Sequence, residues 1–121
     1  MTTYEMVAKQ NEALAVEISN ALVKQKDAIL AALNGVEDAK GLRRAKEMLD
    51  LVRPVWEACE YGYKVKEVAE RLMTAAEYLI IGQEEFLLTL TRKNDKLRRP
   101  TEGWIRELSA FRDEIEAEYD I

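Results

Sequence analysis

Histidine is absent from this 121-residue sequence, and cysteine occurs only once. The missing histidine excludes histidine-based catalytic triads, histidine metal ligands and histidine phosphotransfer. The single cysteine, Cys59, can form neither an internal disulfide nor a paired-cysteine zinc site, and it is typical of a reducing cytoplasm. No glycine-rich phosphate-binding loop is present. We therefore predict no catalytic residue, no metal site and no cofactor, and we expect a protein that is not an enzyme.

Glycine and proline are also scarce, with five and two residues. A β-sheet domain of this length would need more turn residues. No apolar run approaches the roughly 20 residues of a membrane-spanning helix, and the first residues lack the pattern of a signal peptide. The 48% hydrophobic and 34% charged residues favour long amphipathic helices with one solvated face. We expect a single, soluble, all-α domain over residues 1–121, without a membrane partner.

Apolar periodicity and helix-end signals predict an elongated helical bundle with coiled-coil-like packing. Thr2 and Glu5 fit a capping box at the start of the first helix, and Asn34-Gly35 is a strong stop. Pro54 removes one backbone hydrogen bond, so we predict a kink there between the second helix and the third. The predicted helices span about 3–33, about 42–53, about 54–93 and 102–119.

Two polar residues, Asn11 and Gln25, interrupt the apolar stripe of the first helix. Either the seam is partly wet there, or the two side chains are buried polar groups that fix the register against a partner helix. Met1 and Met6 could form a hydrophobic staple at the start of this helix. We expect Trp56 and Trp104 in the core, and Trp104, at the start of the last helix, is the better candidate for an interface anchor.

Gly62 lies inside the predicted third helix, and we expect the helix to pass through it. Apolar residues continue at steps of three and four on both sides, and no capping residue precedes Val65. A turn at Gly62, or one at Gly82, is the alternative. A 40-residue helix over 54–93 would be about 60 Å long, which this chain cannot cover by itself, so we predict a homodimer. The predicted self-association seam comprises Gly62, Val65, Ala69, Leu72, Ala76, Leu79 and Phe86.

The net charge of −5 lies entirely at the C-terminal end. Residues 1–101 hold 16 acids and 16 bases, whereas residues 102–121, the acidic C-terminal helix, hold seven acids and two bases. A basic loop over 92–101 precedes this helix. Because anions are disfavoured at a helix C-terminus, the acids either pair with the basic loop of the same or a neighbouring chain, face a basic partner, or lie on a frayed end. The predicted partner-binding residues are Arg92, Lys93, Lys96, Arg98, Arg99, Trp104, Glu114, Glu116, Glu118 and Asp120.

The leading functional hypothesis is a non-catalytic protein–protein interaction module that binds a protein partner. It could be an adaptor, an assembly factor or an inhibitor, for instance a phage or mobile-element inhibitor of a host enzyme. One alternative is nucleic-acid contact through the basic cluster 92–99, which the negative net charge opposes. Another is a magnesium-dependent, all-α nucleotide hydrolase, because Glu67 and Glu70 share a helix face and Glu47 and Asp50 repeat that spacing. Helical nucleotide pyrophosphohydrolases bind magnesium through carboxylates in a fixed order, which these positions do not follow.

Overall fold

The computed structural model describes residues 2–121, except for the side chain of Asn94. Four α-helices follow one another, a short 3-10 helix precedes the last, and no strand occurs among the described residues. The prediction of an all-α helical bundle is therefore confirmed. No helix between residues 2 and 121 combines the length and apolar character needed to cross a bilayer. The helices are α1 (Thr3–Leu33), α2 (Ala39–Ala58), α3 (Tyr63–Thr89), the 3-10 helix (Arg92–Leu97) and α4 (Arg98–Tyr119).

The first helix has the predicted boundaries because its end signals act locally. The Glu5 backbone N–H donates to the Thr2 hydroxyl over 3.2 Å, and the Thr2 N–H donates to the Glu5 carboxylate over 3.4 Å. This reciprocal pair is the predicted capping box. Past the other end, Gly35 takes a φ of 75°, which suits a residue without a Cβ. The predicted staple between Met1 and Met6 lies outside the described residues.

A Schellman turn ends α2 and separates it from α3. Glu60 takes a φ of 62°, and the Tyr61 N–H donates to the Trp56 carbonyl over 2.8 Å. The rings of Trp56 and Tyr61 pack edge to face with their centroids 5.1 Å apart, which is the apolar contact that accompanies this motif. α3 then begins without a side-chain cap, and the Lys64 N–H donates to the Tyr61 carbonyl instead.

The predicted continuous helix over 54–93 is therefore wrong, and the alternative of a turn near Gly62 is correct. α2 runs through Pro54 and ends at Ala58, and a new helix begins at Tyr63. The series of apolar residues that suggested one continuous helix includes Leu51 and Val55 on α2. These two side chains are 79% and 49% exposed, so the series joins an exposed face of α2 to the buried face of α3. The face that α2 buries lies elsewhere on this helix and comprises Leu42, Ala45, Lys46, Leu49 and Trp56.

Two helices begin earlier than predicted. α2 starts at Ala39 rather than near residue 42, because the Asp38 side chain caps it. α4 starts at Arg98 rather than at 102, directly after the 3-10 helix, so the predicted basic loop is helical. Thr101 lies inside α4, where it is buried and its hydroxyl donates to the Leu97 carbonyl over 2.8 Å.

The core is organised around α3, which packs against the other three α-helices and most extensively against α4. Trp56 and Phe111 are the largest fully buried side chains. α1 contributes only Leu22 and Ile29 to the buried set, and both lie in its second half. The first half of the longest helix is therefore left outside the bundle. The remaining buried apolar residues are Leu42, Ala45, Leu49, Val65, Val68, Ala69, Leu72, Ala76, Ile80, Leu108, Ile115 and Tyr119.

Candidate interaction surfaces

The acidic end of α4 packs against the basic face of α2. The Lys46 Nζ lies 2.9 Å from the Glu118 carboxylate, 2.7 Å from that of Asp50 and 3.9 Å from that of Glu114. Glu114 also accepts a hydrogen bond from the Arg43 guanidinium over 3.2 Å. Two of the four acids predicted to bind a partner are therefore paired within the chain, with α2 rather than with the basic cluster 92–99.

Tyr119 completes this network on its buried side. Its hydroxyl donates to the Asp50 carboxylate, and the Arg53 guanidinium lies 4.7 Å from its ring centroid. Burial, followed by the hydrogen bond to Asp50, raises the pKa of the Tyr119 phenol. Burial alone would lower the pKa of Lys46, but its hydrogen bonds to Asp50 and Glu118 outweigh this effect and raise it. The network thus holds both groups in their protonated forms.

The basic cluster 92–99 lies at the other end of α4 from these acids. The Arg98 Nε lies 2.8 Å from the Asp95 carboxylate, and this hydrogen bond raises the pKa of the guanidinium. Among the described residues, no ion pair joins the cluster to the acidic end of α4, where Glu116 and Asp120 are exposed. The basic cluster 92–99 and the acidic end of α4, which the sequence suggested as partners, are thus separate. The exposed members of the cluster are Arg92, Lys93, Lys96 and Arg99.

Trp104 lies on the surface and lines an open cavity. Its side chain is 54% exposed, and the cavity of about 350 Å³ is where the start of α2 meets α3 and α4. Trp104 therefore lies outside the core, contrary to expectation, whereas Trp56 is buried as expected. The role of Trp104 as an interface anchor stays a prediction. The other lining residues are Glu37, Asp38, Ala39, Lys40, Gln83, Glu107 and Leu108.

The predicted self-association seam on α3 faces the interior of this chain over most of its length. Gly62 and Leu79 are partly buried, and Phe86 is 40% exposed. Other helices of the same chain pack against the rest of the seam. Within the described residues, a second copy could therefore reach the seam at its Phe86 end. The buried members are Val65, Ala69, Leu72 and Ala76.

A further surface, which sequence reasoning did not single out, is the first half of α1. Gln25 accepts a hydrogen bond from the Trp56 indole over 2.8 Å, and Lys26 pairs with Glu67 over 3.2 Å, so α1 passes the α2–α3 turn at this level. Residues 3–21, which we name the α1 arm, extend beyond it and contain no buried residue. The arm is about 28 Å long. Its exposed large apolar side chains are Tyr4, Met6, Val7, Leu14, Val16 and Ile18.

The signal for the α1 arm was the unequal length of neighbouring helices. α1 has 31 residues and α2 has 20, so even complete antiparallel overlap would leave 11 residues of α1 uncovered. The uncovered stretch is longer than this because Trp56, near the end of α2, already lies beside Gln25. Of the two polar residues for which a partly wet seam and a register-fixing role were both considered, Asn11 is exposed on this arm, whereas Gln25 is paired with Trp56 inside the chain.

The carboxylates considered for magnesium binding are engaged in ion pairs or lie apart. Glu67 accepts hydrogen bonds from Lys64 and Lys26 over 3.0 and 3.2 Å, and these bonds lower its pKa. Asp50 belongs to the α2–α4 network, and Glu70 is exposed. Within residues 2–121, no three His, Cys, Asp or Glu side chains form a group that could hold a metal ion. The geometry therefore gives no support to the hydrolase alternative.

The fold and these surfaces define an all-α helical bundle with one projecting helical arm. No protein-family model, curated protein or solved structure matches the chain. The geometry of its surfaces is therefore the basis for a functional assignment.

Proposed function

We propose that this chain is a non-catalytic protein-interaction module: an adaptor, an assembly factor or an inhibitor. The α1 arm is the observation that carries this proposal. A monomeric protein rarely exposes a contiguous apolar patch larger than a few hundred Å², yet Tyr4, Val7, Leu14 and Ile18 share one face of the arm and are exposed outside the bundle. An isolated helix of this length is also marginally stable in water. A partner that covers the arm would bury its apolar surface and stabilise the helix.

The distribution of charge supports the same assignment. Glu114 and Glu118 pair with Arg43 and Lys46 of the same chain, so these acids hold α4 on α2 and are not free to attract a basic partner. The large apolar side chains of the α1 arm, in contrast, are exposed. The single cysteine suits a reducing cytoplasm, which is where we propose that the module acts.

Retention of binding partners by arm variants tests the proposal. The tagged full-length chain is immobilised and exposed to a cell lysate supplemented with an untagged copy of the chain. The arm variant is Leu14→Glu/Ile18→Glu, which places two charges on the apolar face. Val16→Glu is the matched control, because Val16 is equally exposed on the other side of the arm.

We expect wild type and Val16→Glu to retain the same protein, either from the lysate or the untagged copy, and Leu14→Glu/Ile18→Glu to lose it. Circular dichroism melts check that the bundle stays folded in all three. If the three baits retain the same proteins in equal amounts, the arm is not an interaction surface and the proposal is wrong.

A further inference from the structure

We propose that the α1 arm pairs in antiparallel orientation with the arm of a second copy, forming a homodimer. This inference rests on the proposed function, because it names the partner of the arm. It places self-association on α1 rather than on the α3 seam, most of which is buried within the chain.

The exposed stripe of the arm continues a surface that is already buried against the bundle. Val7, Leu14 and Ile18 follow one another at steps of seven and four. Leu22 comes four residues after Ile18, and Ile29 comes seven residues after Leu22. These steps keep both residues on the same helix face as Ile18. Leu22 and Ile29 are buried. The arm therefore extends the face that α1 uses for its own core.

This continuity determines the direction of the partner helix. α1 packs on both α2 and α3, and its Gln25 and Lys26 contact Trp56 and Glu67 beside the turn that joins these two helices. We infer that α2 and α3 fill the layer on this face of α1 as far as that turn. A second helix on the arm must lie in the same layer, beyond that turn. A parallel partner would run on into α2 and α3 and collide with them. In an antiparallel pair, the N-terminal end of the partner's arm stops at the turn of the first copy. The partner's bundle then lies beyond the N-terminal end of the first arm, where it meets no obstacle.

The dimensions favour a second copy as the occupant. The free layer is as long as residues 3–21, so two identical arms cover each other completely. Half the circumference of a helix over about 28 Å gives roughly 500 Å² on each arm, or about 1,000 Å² in total. Stable complexes start near 1,200 Å², so we expect a dimer with a dissociation constant in the micromolar range. Ala8 and Ala15 flank the stripe and permit a close approach.

The electrostatics of the helix ends also favour this orientation. The N-terminus of a helix carries a partial positive charge. In the antiparallel pair, the N-terminus of one α1 arrives beside the C-terminal end of α2 in the second copy, where the carboxylate of Glu60 is exposed and that of Glu57 pairs with Arg53. A parallel pair would place two like helix ends together.

The spacing of the stripe predicts one register for the two arms. In this register, each stripe residue of one arm lies opposite a stripe residue of the other. The expected pairs are Tyr4 with Ala21, Val7 with Ile18, and Asn11 with Leu14, each in both directions.

Sedimentation equilibrium of the purified full-length chain, from about 1 to about 200 µM, tests for the dimer. The average mass of wild type and of Val16→Glu should rise with concentration toward twice the chain mass. Leu14→Glu/Ile18→Glu should remain at the chain mass throughout, with an unchanged melting transition for the bundle.

Disulfide cross-linking tests the orientation, in a Cys59→Ser background. Oxidation should link a mixture of Tyr4→Cys and Ala21→Cys chains into a dimer, while each variant alone remains largely unlinked. Efficient linking of each variant with itself would indicate a parallel pair and overturn the proposal.

The remaining outcomes separate this inference from the proposed function. A wild-type chain that stays monomeric throughout overturns the dimer, and arm-dependent retention of a lysate protein would still support the interaction module. A dimer that Leu14→Glu/Ile18→Glu leaves intact places the interface elsewhere and also overturns the inference.

Discussion

Replacing Lys46 with methionine should weaken the packing of α4 on α2. The substitution keeps the length and aliphatic character of the side chain but removes the charge that three carboxylates surround. The ammonium group lies 2.7 Å from Asp50, 2.9 Å from Glu118 and 3.9 Å from Glu114, and the lysine side chain is only 9% exposed. In its absence, these carboxylates would face one another without the central cation.

The expected loss follows from the two short contacts. A hydrogen bond to a charged group contributes about 1.5–3 kcal/mol when it is well buried. The acceptor side chains of Asp50 and Glu118 are 37% and 38% exposed, so water screens them and each contact is nearer about 1 kcal/mol. Repulsion among the remaining carboxylates adds to this. We expect Lys46→Met to lower the free energy of unfolding by about 2–3 kcal/mol, or the melting temperature by about 8–12 °C.

Urea and thermal melts followed by circular dichroism at pH 7 and at about pH 3 test both the size and the cause of this loss. Arg44→Met is the matched control, because Arg44 is exposed on the same helix, and it should change stability by less than about 0.5 kcal/mol. Acidification removes most carboxylate charge in any protein, so the difference between Lys46→Met and wild type should shrink at low pH. A loss below about 0.5 kcal/mol, or an equal loss at both pH values, would refute the electrostatic reasoning.

Two further predictions concern alkaline pH and the α2–α3 turn. The pKa values of Lys46 and Tyr119 are both raised, so the folded chain keeps protons that the unfolded chain releases above about pH 10; stability should therefore be lost as the pH rises further. Tyr119→Phe should flatten this decline in urea melts from about pH 8 to 11, and equal slopes would contradict the assignment. Glu60→Gly should raise stability by about 1 kcal/mol in thermal melts, because glycine takes a positive φ without steric strain. Glu70→Gly inside α3 is the control and should lower stability, and a melting point that Glu60→Gly leaves unchanged or lowers would count against strain at the turn.

The ends of α1 could be predicted because each signal acts within a few residues of itself. The pair Thr2 and Glu5 sets the start without any tertiary contact. The end of α2 was missed because its left-handed residue is Glu60, a residue type that rarely takes this conformation. A usable signal was nevertheless present, since Trp56 and Tyr61 have the five-residue spacing of the apolar pair in a Schellman motif.

The charged residues of the α2–α4 network were recognised in the sequence, but their partners were not. Glu114 and Glu118 lie four residues apart and Arg43 and Lys46 lie three apart, so each pair shares one face of its helix. Composition alone favoured the nearest basic segment, 92–99. The pairing depends on which helices pack together across more than 60 residues of chain, and local patterns do not contain that information.

Asn11 and Gln25 together show what periodicity can and cannot predict. They lie 14 residues apart, an interval that returns to the same face of α1, and they were indistinguishable as polar interruptions of one stripe. Gln25 lies level with the bundle and pairs with the indole of Trp56. Asn11 lies on the arm beyond the end of α2, where this chain supplies no helix to cover it. The pattern therefore predicts that the whole face of α1 is to be covered, and the helix lengths decide which part this chain covers itself. Beyond the α2–α3 turn, the second copy that we propose would cover this face of α1.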